Sequence, residues 1–293
     1  MKQTNTSEMT PLPTPTQMLL GTLSFWNALI KSPKTLIGMT REVVRTSLNK
    51  ASHTDLNQDQ YALLENGYTP KYIAVLVPWF QLDGTSMLGF KKTLNEKWIP
   101  AFFPGGLPSG MDAVLFRQHP EELVVKIVKY VQEIQKSYPE TEIILMGHSA
   151  GGTIALHAVD RLSEGETWKV APVTVAWVLD SVGSMAQAGH ALYYRVPSQV
   201  FLGKEDNFIQ TARDIQLKQR NGITVVDLND GYLSPKIQSG THYNEMYRNN
   251  VIISHQKSPG HYRQGVSEKF SRYVIEQVLE KLTQRERLLS TQR

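Results

Sequence analysis

The chain has 293 residues, of which 41% are hydrophobic and 20% charged, a soluble composition with enough apolar sequence for one large core. A net charge of +4, with no dense basic run in the body, gives no footprint for nucleic acid, and none is expected as a partner. The absence of cysteine excludes disulfides, thiolate metal sites and a cysteine nucleophile.

Residues 1–16 are rich in Thr and Pro and read as a disordered tail. Residues 17–69 read as a helical extension with a linker. The apolar run at 18–30 is too short to span a bilayer and has no cleavage site for a signal peptide. Ser32 can cap a helix that begins at Pro33. In that helix Leu36, Ile37, Val43, Val44 and Leu48 fall near one face, with Lys34, Arg41 and Arg45 elsewhere. Two uses fit: a helix docked on the main domain, or a basic amphipathic segment over 18–48 that touches membrane or covers a site. The expected location is the cytoplasm, with peripheral membrane contact. Residues 49–70 are polar and read as the linker.

A single domain is expected over 70–293. Ile73–Val77 is a continuous apolar run, suited to a strand buried on both faces. A helix around 85–97 and a short strand at 100–103 follow. Leu123, Val124, Ile127, Val128, Val131 and Ile134 form a helical stripe after Pro120. Further strands are expected at 142–146, 173–179, 199–202 and 223–226, with a helix at 209–220. Val266, Phe270, Val274, Val278 and Leu282 recur every four residues along a closing helix. This alternation predicts an α/β fold: a mostly parallel central sheet with helices on both faces, and an N-terminal helical extension.

Gly147-His148-Ser149-Ala150-Gly151 lies between the strand at 142–146 and a small-residue helix. Strand, G-x-S-x-G and helix are the context of a nucleophile elbow, where a sharp turn presents the serine hydroxyl and its near neighbours must be small. His148 adjoins the serine, and so tight a turn points it away, to line the site or pack beneath it. An elbow serine needs a base, an orienting acid and an oxyanion hole. In an open parallel sheet these collect beyond the carboxyl ends of the strands. Asp206, Asp180 and Asp230 each follow an expected strand, Asp206 being favoured. The base must be a histidine. His261, His255 and His242 all lie late in the chain, His261 immediately before the closing helix. One oxyanion donor is the N–H of Ala150. The other is Trp79 or Phe80, because Pro78 has no N–H. The same two aromatics could wall an acyl pocket. No cofactor and no metal is expected, since no ligand spacing, P-loop or dinucleotide fingerprint is present.

Over about residues 70–283 the chain resembles the α/β-hydrolase family. The resemblance rests on the Gly147–Gly152 sequence GHSAGG, on the order serine, acid, histidine, and on the turn Gly203-x-x-Asp206. The GHSAGG form is similar to that of lipases and esterases. The resemblance implies a Ser149, His261 and Asp206 triad that cleaves a carboxylic ester, with a small-molecule or lipid ester as substrate, through an acyl-enzyme. A thioesterase or an acyltransferase would use the same triad, and a non-catalytic binding protein of this fold would keep the elbow without a positioned histidine. The chain departs from the family in having Pro-Trp-Phe after the first strand and a long stretch from Asp227 to Gly260. That stretch is either a lid or the cover for an extra strand at Val251–Ile253. Asn229-Asp230-Gly231 followed by His255 is similar to the acid and histidine of some bacterial lipases, an alternative pairing.

Overall fold

A computed structural model describes residues 33–49, 51–65, 67–78, 83–107, 120–163, 169–176, 212, 214–215, 222–230, 251–254 and 259–291. Its centre is a six-stranded sheet: β1 (Tyr72–Val77), β2 (Ala101–Phe102), β3 (Glu142–His148), β4 (Val170–Val175), β5 (Ile223–Asp227) and β6 (Val251–Ser254). The order across the sheet is β2-β1-β3-β4-β5-β6, and every neighbouring pair is parallel. Near-continuous apolar runs such as Ile73–Val77 follow from this arrangement, because a parallel strand between two helical layers is dry on both sides. The strand at Val251–Ser254 extends the sheet beside β5, so the long stretch after Asp227 does contain an extra strand.

Six helices among the described residues take their places around the sheet, all but the one at His53–Glu65 expected from the sequence. They are α1 (Pro33–Leu48), α2 (His53–Glu65), α3 (Leu88–Glu96), α4 (Pro120–Ser137), α5 (Ala150–Ser163) and α6 (Glu268–Ser290). Alternate strand residues divide the core in two. Ala74, Leu76, Ile144 and Met146 meet Phe90 and Leu94 of α3 and Phe270, Val274, Val278 and Leu282 of α6. The four-residue spacing on α6 thus marks its buried stripe, and Ser267 starts that helix by accepting from the Phe270 N–H at 3.4 Å. On the opposite face α4 and α5 pack together, with α5 against β1, β3 and β4. The expected strand at 199–202 lies outside the described residues, as does all of the 209–220 helix except 212, 214 and 215.

The N-terminal extension differs from its expected form in two ways. Residues 49–70 are not a plain linker, since they contain α2, which closes the outer edge of the sheet. Among the described residues the edge strand β2 pairs with β1 alone. On its other side Asn57 accepts from the Phe103 N–H at 2.9 Å and donates to the Phe103 carbonyl at 2.8 Å, while Gln60 accepts from the Ala101 N–H at 3.1 Å. Side-chain amides here occupy the hydrogen-bonding positions a further strand would otherwise fill. The second difference is the direction of α1. It packs against the turn at His261–Arg263, but Ile37, Val44 and Leu48 are exposed, while Glu42 and Thr46 are buried. The three described members of the stripe, Ile37, Val44 and Leu48, face outward. Burial raises the Glu42 carboxyl above its usual range, against the lowering effect of Arg45 and Arg263.

Candidate active site

The G-x-S-x-G turn lies between β3 and α5. Ser149 has φ 54°, a left-handed conformation that is strained for a serine, and its N–H donates to the Val175 carbonyl of β4 at 2.9 Å. The flanking glycines are needed for space rather than for left-handed backbone. A Cβ on Gly147 would stand 2.3 Å from the Gly151 carbonyl oxygen, and one on Gly151 would stand 2.3 Å from the Val77 carbonyl oxygen. Both obstacles are backbone, so neither can swing aside. Gly151 lets α5 approach β1, and this fixes the helix whose first residue, Ala150, follows the serine.

His261 reaches this serine from the other end of the chain. Gly260 at φ 90° turns the backbone into a single 3₁₀ turn, His261–Arg263. The turn is anchored by Gly265, whose carbonyl accepts from the N–H groups of Gly89 and Phe90 at the start of α3, at 2.8 and 3.3 Å. His261 is fully buried, and its Nε2 lies 2.9 Å from Ser149 Oγ. Its Nδ1 lies 2.7 Å from Asp230 Oδ2. A carboxylate can only accept there, so Nδ1 carries the proton and Nε2 presents its lone pair to the hydroxyl.

Asp230 arrives by a turn that closes β5. The Asn229 N–H donates to Asp227 Oδ1 at 3.0 Å, an Asx turn that bends the chain after the strand. The carboxylate beside His261 is therefore that of Asp230, a candidate in the sequence but not the favoured one. Asp206 and Asp180 lie outside the described residues, as do His242 and His255 and the oxyanion candidates Trp79 and Phe80. Asp230 was paired in the sequence with His255; in the structure it bonds His261.

Two further buried side chains join this cluster. Gln264 Nε2 donates to Asp230 Oδ2 at 2.9 Å and to Asp227 Oδ2 at 2.7 Å. Its Oε1 lies 2.9 Å from His148 Nε2. Burial, with the His261 ring beside it, pushes the His148 imidazole down to about 3, so His148 is neutral and donates from Nε2–H to the amide oxygen. The His148 and His261 rings stand 5.0 Å apart at 33°. The sequence placed His148 away from the serine hydroxyl, beneath the site, and it packs there. Gln264 carried no sequence signal, because nothing local distinguishes a glutamine in a turn from a solvated one.

Comparisons with known proteins add the following. The Mbeg1-like family model matches residues 120–201, which include β3, the elbow, α5 and β4. No curated protein matches the chain. Among solved structures, a carboxylesterase of the thaumarchaeon Nitrososphaera gargenis is similar at 11% identity and a TM-score of 0.49, over 74% of this chain and 93% of its own. Est1E from Butyrivibrio proteoclasticus, solved with ferulic acid bound, is similar at 14% identity and a TM-score of 0.46, over 73% and 92%. An α/β-hydrolase enzyme from lagoon-sediment metagenome of Mar Chica, Morocco, is similar at 16% identity and a TM-score of 0.47, over 72% and 92%. The parallel sheet, the strained serine between β3 and α5, and the histidine that follows the last strand give this chain the α/β-hydrolase fold.

Proposed function

We propose that the protein is a serine hydrolase that cleaves carboxylic esters with Ser149 as nucleophile, His261 as base and Asp230 as the orienting acid. The observation that carries this reading is the continuous line of hydrogen bonds from Ser149 Oγ through both nitrogens of His261 to Asp230. A binding protein of this fold would have no use for a buried imidazole held at both nitrogens or for the strain at Ser149.

The reaction follows from the proton positions. As Ser149 Oγ attacks the ester carbonyl carbon, His261 Nε2 takes the hydroxyl proton. The resulting imidazolium is stabilised by the Asp230 carboxylate. The carbonyl oxygen gains the negative charge, held by the Ala150 N–H at the start of α5 and by an N–H from Trp79 or Phe80. Collapse breaks the bond to the alcohol, which leaves with the proton from His261. Water then enters, gives a proton to His261 and attacks the acyl carbon; collapse breaks the bond to Ser149 Oγ, which takes that proton back from His261 as the acid leaves.

The substrate class is a lipid or other apolar ester, and α1 is the segment that meets a lipid surface. Ile37, Val44 and Leu48 are exposed along one face, with Arg41 exposed among them. Among the described residues no helix is long and apolar enough to cross a membrane, so this contact is peripheral. Pelleting with anionic vesicles checks it: the wild type should sediment with them, and a triple Ile37→Ser, Val44→Ser, Leu48→Ser variant should remain in solution.

Labelling with a fluorophosphonate probe tests the chemistry. The wild type should label, and Ser149→Ala and His261→Ala should not. A well-folded wild type that resists the probe would overturn the hydrolase reading.

A further inference from the structure

We infer that Gln264 is a positioning residue of this site: its amide holds the Asp230 carboxylate on His261 Nδ1 by bridging Asp230 to the second buried carboxylate, Asp227, while His148 sets the direction of that amide. The inference rests on the triad reading above and adds three residues to it.

Asp227 and Asp230 are both at most 1% exposed, and one oxygen of each lies within 3 Å of a single nitrogen, Gln264 Nε2. Two carboxylates this close and this dry do not both ionise unless donors separate them; one takes up a proton instead. A protonated Asp230 could not stabilise the imidazolium that forms during acyl transfer. The two N–H groups of one amide nitrogen point apart, one for each carboxylate, and so keep both as acceptors. Rotating the amide by half a turn would set its oxygen against both carboxylates. The donating Nε2–H of His148 opposes that rotation, because it needs the oxygen on its own side. Burial keeps His148 neutral, so it fixes the amide without adding a charge beside the two carboxylates.

The backbone of Gln264 is fixed independently. Its N–H donates to the His261 carbonyl at 3.4 Å, and its own carbonyl accepts from Ser271 Oγ of α6 at 3.4 Å. The residue thus travels with the turn that carries His261, and it reaches back to the end of β5 where both aspartates lie. The groups that face its side chain are Asp227 and Asp230 from β5 and its closing turn, His148 from β3, and His261 from its own turn.

The test uses Gln264→Met, which keeps the length and loses every hydrogen bond of the amide. Its rate of labelling by fluorophosphonate should fall about ten- to hundredfold, the effect of losing a hydrogen bond to a buried charge. With an ester substrate the loss should fall on kcat and leave KM within about twofold. Adding Asp227→Asn should restore part of the rate, because it removes the charge that the amide keeps apart from Asp230. Gln264→Glu is the second variant. It places a third carboxyl among the two, so its labelling should weaken relative to wild type as pH rises and that carboxyl ionises. A Gln264→Met rate within twofold of wild type, no rescue by Asp227→Asn, or a Gln264→Glu pH profile parallel to wild type would overturn the inference. The downfield proton resonance of His261 Nδ1–H separates it from the hydrolase reading. If Gln264→Met loses that resonance in a protein that never labels, the positioning role stands and the hydrolase reading fails. If the resonance is unmoved in a protein that labels, the reverse holds.

Discussion

At the scale of single residues, the choice of acid is the sharpest issue. In the proposed triad the acid works through the bond that holds the histidine tautomer, the contact from His261 Nδ1 to Asp230. Asp230→Asn would face Nδ1 with an amide that can present its N–H, favouring the wrong tautomer. The expected loss of turnover is about 10⁴-fold. Asp206→Asn should stay within a few-fold of wild type, measured as labelling rate in the same assay. The opposite ranking would remove Asp230 from the triad. Gly147 and Gly151 are demanded by backbone atoms 2.3 Å from an added Cβ, and the left-handed strain falls on Ser149 itself.

At the scale of elements, two buried histidines tie secondary structures together and make the fold sensitive to acid. His53 of α2 donates from Nδ1 to the Pro104 carbonyl at 3.2 Å and accepts at Nε2 from the Gly84 N–H at 2.9 Å. A protonated ring would present a donor to a donor at Gly84. Burial lowers the basicity of His53, and lowers that of His148 to about 3. The sign is then fixed. The unfolded chain binds protons at these positions more tightly than the folded one, so their stabilisation is complete above about pH 6.5 and drains away as pH falls toward the lowered values. His148, titrating only in the unfolded state over this range, contributes a slope that approaches about 1.4 kcal/mol per pH unit. Urea unfolding at about pH 7.5, 6 and 5 should show midpoints falling in that order, and His53→Gln should flatten the fall. A midpoint that holds steady down to pH 5 would contradict the neutral, buried assignment.

At the scale of the whole molecule, α2 of the N-terminal extension is part of the folded unit. Asn57 and Gln60 satisfy the outer edge of β2. Lys91 of α3 pairs with Asp59 at 2.7 Å, and Asn49 donates to Asp83 at 2.6 Å. Removing residues 1–66 would expose the β2 edge and the buried ring of Phe103 together, a ready template for strand addition. The truncated chain 67–293 should be recovered as aggregate, whereas the full chain should be soluble, as checked by size-exclusion chromatography. A soluble, monomeric 67–293 that still labels would show the extension to be dispensable.

The sequence by itself determined the elements whose signals are local. Apolar runs marked β1 and β3, four-residue spacing marked α6, and G-x-S-x-G marked the sharp turn between strand and helix at Ser149, because each depends on residues within one or two turns of chain. His261 was also legible, as the late histidine set just before the closing helix. What only the tertiary structure decided depends on distant segments meeting. Three aspartates followed expected strands with equivalent turn chemistry, and the selection of Asp230 comes from where the end of β5 meets the His261 turn. The stripe on α1 was legible as a stripe, but which way it faced depended on the partner surface. The α2 helix was read as linker because its inward face is polar: Asn57 and Gln60 are buried to satisfy a strand edge, and burial driven by backbone hydrogen bonding leaves no apolar period in the sequence. Gln264 is the same case within the site, a polar side chain whose role exists only where two carboxylates and two imidazoles from separate elements converge.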